Sequence, residues 1–263
     1  MTIARPMLNM TVEEIREGLE QTRTVVLPVG ICEQHGYHLP VSVDLHNASE
    51  IAHRTSEKTG CFVAPPLPYN FSGGMLPGTI NISPQVFGIL LMDILQSLTL
   101  QGFRQLIILL GHGGSESVAA AKDAAEQFQR LRPEMPGVTV SVVPFWELSP
   151  TYMEWFARGD YHAGMAETSL MLFWKPELVN MDEAVYDDDE ILTVMRADPD
   201  AYARKLKSVD TAFVVPRIAQ DPRVKVGVMG FFDGANAELG HRIADECIAG
   251  LADLIAELEP TGE

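Results

Sequence analysis

Apolar residues in this chain fall into two kinds of run, and their alternation predicts an α/β fold. Thr24 to Val29 and Gln105 to Leu110 are short, nearly continuous apolar stretches, each followed by a glycine, Gly30 and Gly111. Such runs, without polar alternation, predict strands buried on both faces. Val138 to Val143 and Val224 to Met229 predict further strands, and Cys61 to Ala64 is a short apolar run. Helical signals lie between them. Thr11 is placed to cap a helix reaching about Gln21, with Glu13 and Glu14 in the first turn, where the helix dipole favours acids. Further helices are predicted from about Asn47 to Lys58, from Ser83-Pro84 through Leu100 with Gly102 past the end, and from about Ser115 to Leu131. Two more run from Gly164 onwards and from Ala235 to Leu258. Phe145 to His162 reads as irregular, and Asp182 to Glu190 as a solvated acidic loop. Strands separated by helices imply a mostly parallel sheet covered on both faces. No repeat or second composition regime interrupts the pattern, so residues 1–263 are expected to form one domain.

Composition narrows the function. The chain is 46% hydrophobic and carries a net charge of -17. Neutralising phosphates requires lysine and arginine, so nucleic-acid binding and docking on anionic membranes are not expected. No window offers the ~18 uninterrupted apolar residues of a membrane span. Cys32, Cys61 and Cys247 are odd in number and widely spaced, which suggests neither a disulfide framework nor a zinc ribbon. A cytoplasmic location is the expectation.

Titratable residues gather after two predicted strands. Glu33, His35 and Asp44 follow the first, and His112 stands in Gly111-His112-Gly113-Gly114 after the second. Ligands of open α/β folds sit outside the carboxyl ends of the strands. In an extended segment residues i and i+2 point the same way, so Glu33 and His35 can face one cavity. Asp44 has two carboxylate oxygens and can bridge two cations. Mixed imidazole and carboxylate ligands suit Zn²⁺, Mn²⁺ or Fe²⁺ better than Ca²⁺ or Mg²⁺. Plainer readings stay open: His35 as a hydrogen-bonded core histidine, Asp44 as the cap of the helix near Asn47, and the glycine-rich turn as an anion cradle with His112 incidental. A third cluster holds His162 and Glu167. It reads either as more of the same site or as a loop histidine and an acid complementing a helix dipole. The loop from Pro65 to Thr79, with Ser72, Gly73 and Gly74, is long enough to be functional.

These segments together resemble the creatininase (creatinine amidohydrolase) family. The resemblance rests on Leu27-Pro28-Val29-Gly30, Glu33-Gln34-His35-Gly36, His38-Leu39-Pro40 and Asp44. It continues through Pro77-Gly78-Thr79, Gly111-His112-Gly113-Gly114, His162-Ala163-Gly164, Glu167-Thr168-Ser169 and Gly227-Val228-Met229-Gly230. It implies a three-layer α/β/α sandwich and two divalent metal ions per chain, Zn²⁺ or Mn²⁺ and in some relatives Fe²⁺. It also implies a homo-oligomer, often a hexamer, that hydrolyses a non-peptide or cyclic amide C–N bond through a metal-activated hydroxide. By motif position Glu33 and His112 would hold one ion, His35 and a second carboxylate the other, and Asp44 would bridge. Glu167 matches the family's second carboxylate motif, with Glu116, two positions past Gly114, as the alternative. His162 and Glu167 would be the catalytic pair, His162 as the acid/base group.

Two departures bear on the substrate. Creatininase has a Tyr-Glu pair after the histidine matching His112, where this chain has Gly113 and Gly114. It has a Trp-Asp pair where this chain has Arg158 and Gly159. A small-molecule amide other than creatinine is therefore expected, with Ser72, Gly73, Gly74, Gly113, Gly114 and Arg158 as candidate contacts. The competing reading is a non-catalytic module that binds a small anion or acts as an oligomeric scaffold.

Overall fold

Residues 3–132, 134–135 and 137–259 are described by a computed structural model. Its central strands are β2 (Thr24–Val29) and β4 (Gln105–Leu110), parallel and in register from Thr24 opposite Gln105 to Val29 opposite Leu110. β1 (Arg5–Pro6), β3 (Phe62–Val63) and β5 (Thr139–Pro144) complete a sheet of order β1-β3-β2-β4-β5, with every pairing parallel.

The unbroken apolar runs fill two cores, because successive side chains of a strand point to opposite faces. Val26, Ile107 and Leu109 face one side, against α2 (Val43–Thr59), α6 (Met165–Trp174) and α8 (Ala237–Leu258). Val25, Leu27, Val29, Leu106, Ile108 and Leu110 face the other, against α3 (Pro84–Gln101) and α4 (Ser115–Leu131), with α1 (Val12–Leu19) at its margin. This is the three-layer α/β/α sandwich. Helix ends follow local chemistry: Thr11 and Glu14 form a capping box, and Ser83 caps Val86 with Pro84 at the first position. Gly102 then ends α3 in the left-handed region.

Several expectations are corrected. The helix expected from Asn47 starts at Val43, which puts Asp44 inside its first turn. The irregular stretch after Phe145 contains α5 (Pro150–Phe156), whose first turn is capped by Ser149. Val224 to Met229 is not a strand. The Asp187 carboxylate takes its backbone N–H groups, accepting from Lys225, Val226 and Gly227 at 2.6, 2.9 and 2.7 Å. Asp187 is therefore a buried anchor rather than part of a solvated loop, and α7 (Asp189–Ala197) follows it directly. An antiparallel ribbon of β6 (Ala203–Leu206) and β7 (Arg217–Gln220) is a further element that the apolar pattern does not announce. Among the described residues no helix is long and apolar enough to cross a membrane.

The chain leaves β2 for α2 on one face and leaves β4 for α4 on the other. Adjacent strands whose connections part in this way open a crevice at their carboxyl ends.

Candidate metal centre

Two glycines bring the crevice residues together. The first turn of α2 crosses the ends of β2 and β4 so closely that a Cβ on Gly30 would stand 2.5 Å from the Leu45 nitrogen. A Cβ on Gly111 would overlap the Asp44 carbonyl oxygen. Only without those side chains can α2 settle there and lower Asp44 between the two strand ends.

Each Asp44 oxygen then faces a different set of donors. Oδ1 lies 3.3 Å from His35 Nε2, which is also 3.6 Å from Glu167 Oε2. Oδ2 lies 3.2 Å from His112 Nδ1, which is 3.0 Å from Glu33 Oε2. His35 Nδ1 is 3.0 Å from the Glu33 carbonyl oxygen. A carbonyl only accepts, so Nδ1 carries a proton and Nε2 is the nitrogen that faces the cluster. All five residues are buried, yet Glu33 Oε2, Asp44 Oδ2 and His35 Nε2, the atoms that face the clusters, have no hydrogen-bond partner. Buried polar atoms are ordinarily paired. Ligand atoms of Glu33, Asp44 and His112 lie within 4.8 Å of one another, as do those of His35, Asp44 and Glu167. Unpaired carboxylate and imidazole atoms converging in this way fit divalent cations of the zinc or manganese type.

Electrostatics agree with the geometry. Burial opposes charge on His35, but Asp44 and then Glu167 outweigh it and push its pKa up to about 10. Burial also opposes charge on His112, and Glu33 with Asp44 drives it well above the usual imidazole range. Glu167 is pushed up to about 7, chiefly by burial. Without a cation, protons hold these clusters together.

The third segment is fixed by Asp160. Its carboxylate accepts from the backbone of Met165, Ala166 and Phe231 at 2.9, 3.0 and 2.9 Å, tying the start of α6 to the segment after Gly230. Glu167, in the first turn of α6, accepts from the Ala163 backbone at 2.6 Å. Ala163 has φ of 53°, the one non-glycine positive φ among the described residues. Strain of this kind persists where the surroundings over-determine it. His162 pairs with Met229 through the backbone, and its ring lies 4.2 Å from that of His35. Its Nε2 is 2.8 Å from the Gln34 carbonyl oxygen and 3.1 Å from the Gln34 side-chain nitrogen; the shorter carbonyl contact places the proton on Nε2 and leaves Nδ1 as an acceptor. Burial, then the neighbouring His35, lowers the His162 pKa to about 4.

A cavity of about 310 Å³ opens over the clusters, the size of a small-molecule site. Ser72, Gly74, Gly113 and Gly114 line it with His112, His162 and Glu167. Two expected contacts do not. Gly73 turns toward Tyr202, whose hydroxyl would stand 2.6 Å from a Cβ there. Arg158 is exposed after the end of α5, and its guanidinium stacks on Trp155 at 4.8 Å. Trp146, Tyr152, Tyr202 and Asp200 line the cavity without having been singled out as substrate contacts. Gln34 and Asp160, which position His162 and α6, are functional residues that the sequence pattern does not announce, because His162 lies 128 residues from Gln34 and Phe231 lies 71 residues from Asp160.

Comparison with known proteins bears on the same site. The family model for creatininase, described as creatinine amidohydrolase, matches residues 8–255. The chain is 28% identical to a creatinine amidohydrolase of Pseudomonas putida over 252 residues, covering 90% of each. It is 30% identical over 244 residues to a mycofactocin precursor peptide peptidase of Mycolicibacterium smegmatis, covering 90% of this chain and 85% of the relative. A solved structure of creatininase in a manganese form superposes with a TM-score of 0.77 at 25% identity, covering 98% of this chain and 100% of that one. The fold and the clustered donors define an α/β hydrolase acting on C–N bonds. The chain belongs to the creatininase family.

Proposed function

We propose that this protein is a metal-dependent amidohydrolase that cleaves the C–N bond of a small-molecule amide other than creatinine. The observation that carries the reading is the division of Asp44, whose two oxygens face two separate buried donor sets. In this reading Glu33 and His112 would hold one divalent ion and His35 and Glu167 a second, with Asp44 shared between them. Ions held there would supply Lewis acidity to the scissile carbonyl and bring the pKa of water toward 7.

The chain's own groups do the rest. His162 is neutral at physiological pH, with Nδ1 free to take a proton and later return it to the leaving nitrogen. Gln34 holds its ring in place through the Nε2–H bond. The mouth is pre-formed: Asn81 accepts from the backbone of Ser72 and Gly73 at 2.8 and 3.0 Å, and the Tyr202 hydroxyl donates to the Ser72 carbonyl at 3.1 Å. Trp146 and Phe156 form an apolar wall that keeps bulk water from the reacting carbonyl. The anion-cradle alternative gains nothing from this cavity, whose lining includes no lysine or arginine among the described residues. A cytoplasmic homo-oligomer, hexameric by the resemblance, completes the proposal.

The test is metal analysis joined to an assay on a panel of linear and cyclic amides that includes creatinine. We expect two divalent ions per chain, turnover lost on chelation and restored by zinc or manganese, and creatinine cleaved poorly. A protein that hydrolyses its best amide equally well after exhaustive chelation contradicts the reading.

A further inference from the structure

The charge of the cavity is one-sided. Carboxylates of Glu33, Asp44, Glu116, Glu167 and Asp200 line it, and no guanidinium or ammonium does among the described residues. Nearby arginines are committed elsewhere. Arg196 donates to the Gly230 carbonyl, Arg204 and Arg223 both bind Asp221, and Arg158 stacks on Trp155.

The carboxylates form two tiers. Glu33, Asp44 and Glu167 sit at the floor, where the cations of the proposed centre would offset them. Glu116, in the first turn of α4, and Asp200, in the turn before β6, sit at the mouth. Among the described residues neither has a cationic partner; Glu116 accepts from the Ser115 hydroxyl at 3.0 Å. Both lie within electrostatic reach of one group. Burial, then Glu116, Glu33 and Asp200, pushes the Tyr202 phenol up to about 12. Glu33 is 7% exposed and lines this same cavity from its floor. Trp146, Phe156, Tyr161 and Tyr202 line the same cavity. Their ring faces attract cations. Aromatic walls with carboxylates at the rim suit an ammonium or guanidinium group and repel a carboxylate or phosphate.

Resting on the hydrolase reading above, we infer that the substrate is an amide bearing a positive charge on the side away from the scissile bond, and that Glu116 and Asp200 recognise that charge. The net charge of -17 would add long-range attraction for such a molecule.

The experiment compares 4-aminobutanamide, cationic at neutral pH, with pentanamide, its neutral counterpart of similar size. Dissociation constants come from calorimetry on the zinc-loaded protein, and kcat/KM is measured separately. We expect the cationic amide to bind about tenfold tighter at low salt. The preference should shrink in Glu116→Gln and in Asp200→Asn, and vanish in the double variant and at high salt. Both side chains are on the surface, and thermal melts verify that the variants fold. Equal affinity for the two amides, or a preference that survives in the double variant, overturns the inference. If the best substrate of the wider amide panel is hydrolysed equally well after exhaustive chelation while the binding preference holds, the metal-dependent hydrolase reading fails and the inference about the mouth stands.

Discussion

Replacing Gly30 with alanine tests whether the fold itself sets the geometry of the centre, because Gly30 is not among the proposed ligands. The new methyl carbon would stand 2.5 Å from the Leu45 nitrogen and 2.6 Å from its Cα. Ordinary contact begins at 3.4 Å, so α2 must retreat by roughly 0.9 Å at its first turn. Overpacking of this kind costs about 1–3 kcal/mol, and restricting the unfolded chain returns at most about 1 kcal/mol of that. Asp44 rides on the displaced turn, and a misplacement of about 1 Å can cost ~10²-fold in rate. Urea denaturation should show a midpoint lowered by the equivalent of about 1–2 kcal/mol. Metal analysis should find weakened retention, and kcat should fall by one to two orders of magnitude, about the size expected from misplacement alone. Gly88 is the control. In the middle of α3 a Cβ would meet nothing nearer than 3.9 Å, so Gly88→Ala should stabilise by about 0.5–1 kcal/mol and leave metal retention alone. A Gly30→Ala protein with the wild-type midpoint, metal content and kcat would refute the reasoning.

Four further outcomes are expected. Asp44→Asn should lose both ions and all measurable turnover while circular dichroism stays native; metal retention at the wild-type level contradicts its bridging role. His162→Ala should keep the metals but lose about 10²–10⁴ in kcat, and an unchanged rate would make it a bystander. Asp187→Ala leaves three backbone N–H groups without their acceptor, a loss of at least ~2 kcal/mol at about 1–3 kcal/mol for each that stays buried and unpaired; equilibrium unfolding and hydrogen exchange at residues 225–227 read it. Metal affinity should rise with pH. His35 is held up near 10 by Asp44 and Glu167 against the pull of burial, and Glu167 near 7 by its own burial, so an incoming cation must displace protons. Apparent affinity should gain about tenfold per pH unit for each proton displaced and fall on acidification. Chelator competition at several pH values measures this, and a flat profile would rule it out.

Where structure follows from local pattern, the sequence predicts it closely. Thr24–Val29, Gln105–Leu110 and Ser115–Leu131 fall where their apolar runs and helix signals put them. Glu33, His35, Asp44 and His112 converge because they follow neighbouring strand ends, which the α/β pattern already implies, whereas Glu167 is brought in on α6 by Asp160, a placement no local pattern gives. What escapes is set by partners distant in the chain. Val224 to Met229 has the composition of a strand, but Asp187, about forty residues earlier, claims its N–H groups. Arg158 sits at a position that a family pattern assigns to the site, yet the turn after α5 points it at Trp155. Asp44 was ambiguous between helix cap and ligand. The two glycines that let α2 approach look like ordinary strand-end glycines until the contacting backbone is known.

The account turns on Asp44 lying between two cations, and anomalous scattering from crystals soaked in zinc or manganese tests it most directly. Two peaks are predicted, one beside each Asp44 oxygen, with Glu33 and His112 around the first and His35 and Glu167 around the second. A crevice without peaks at saturating metal, or a lone peak away from Asp44, would contradict the account.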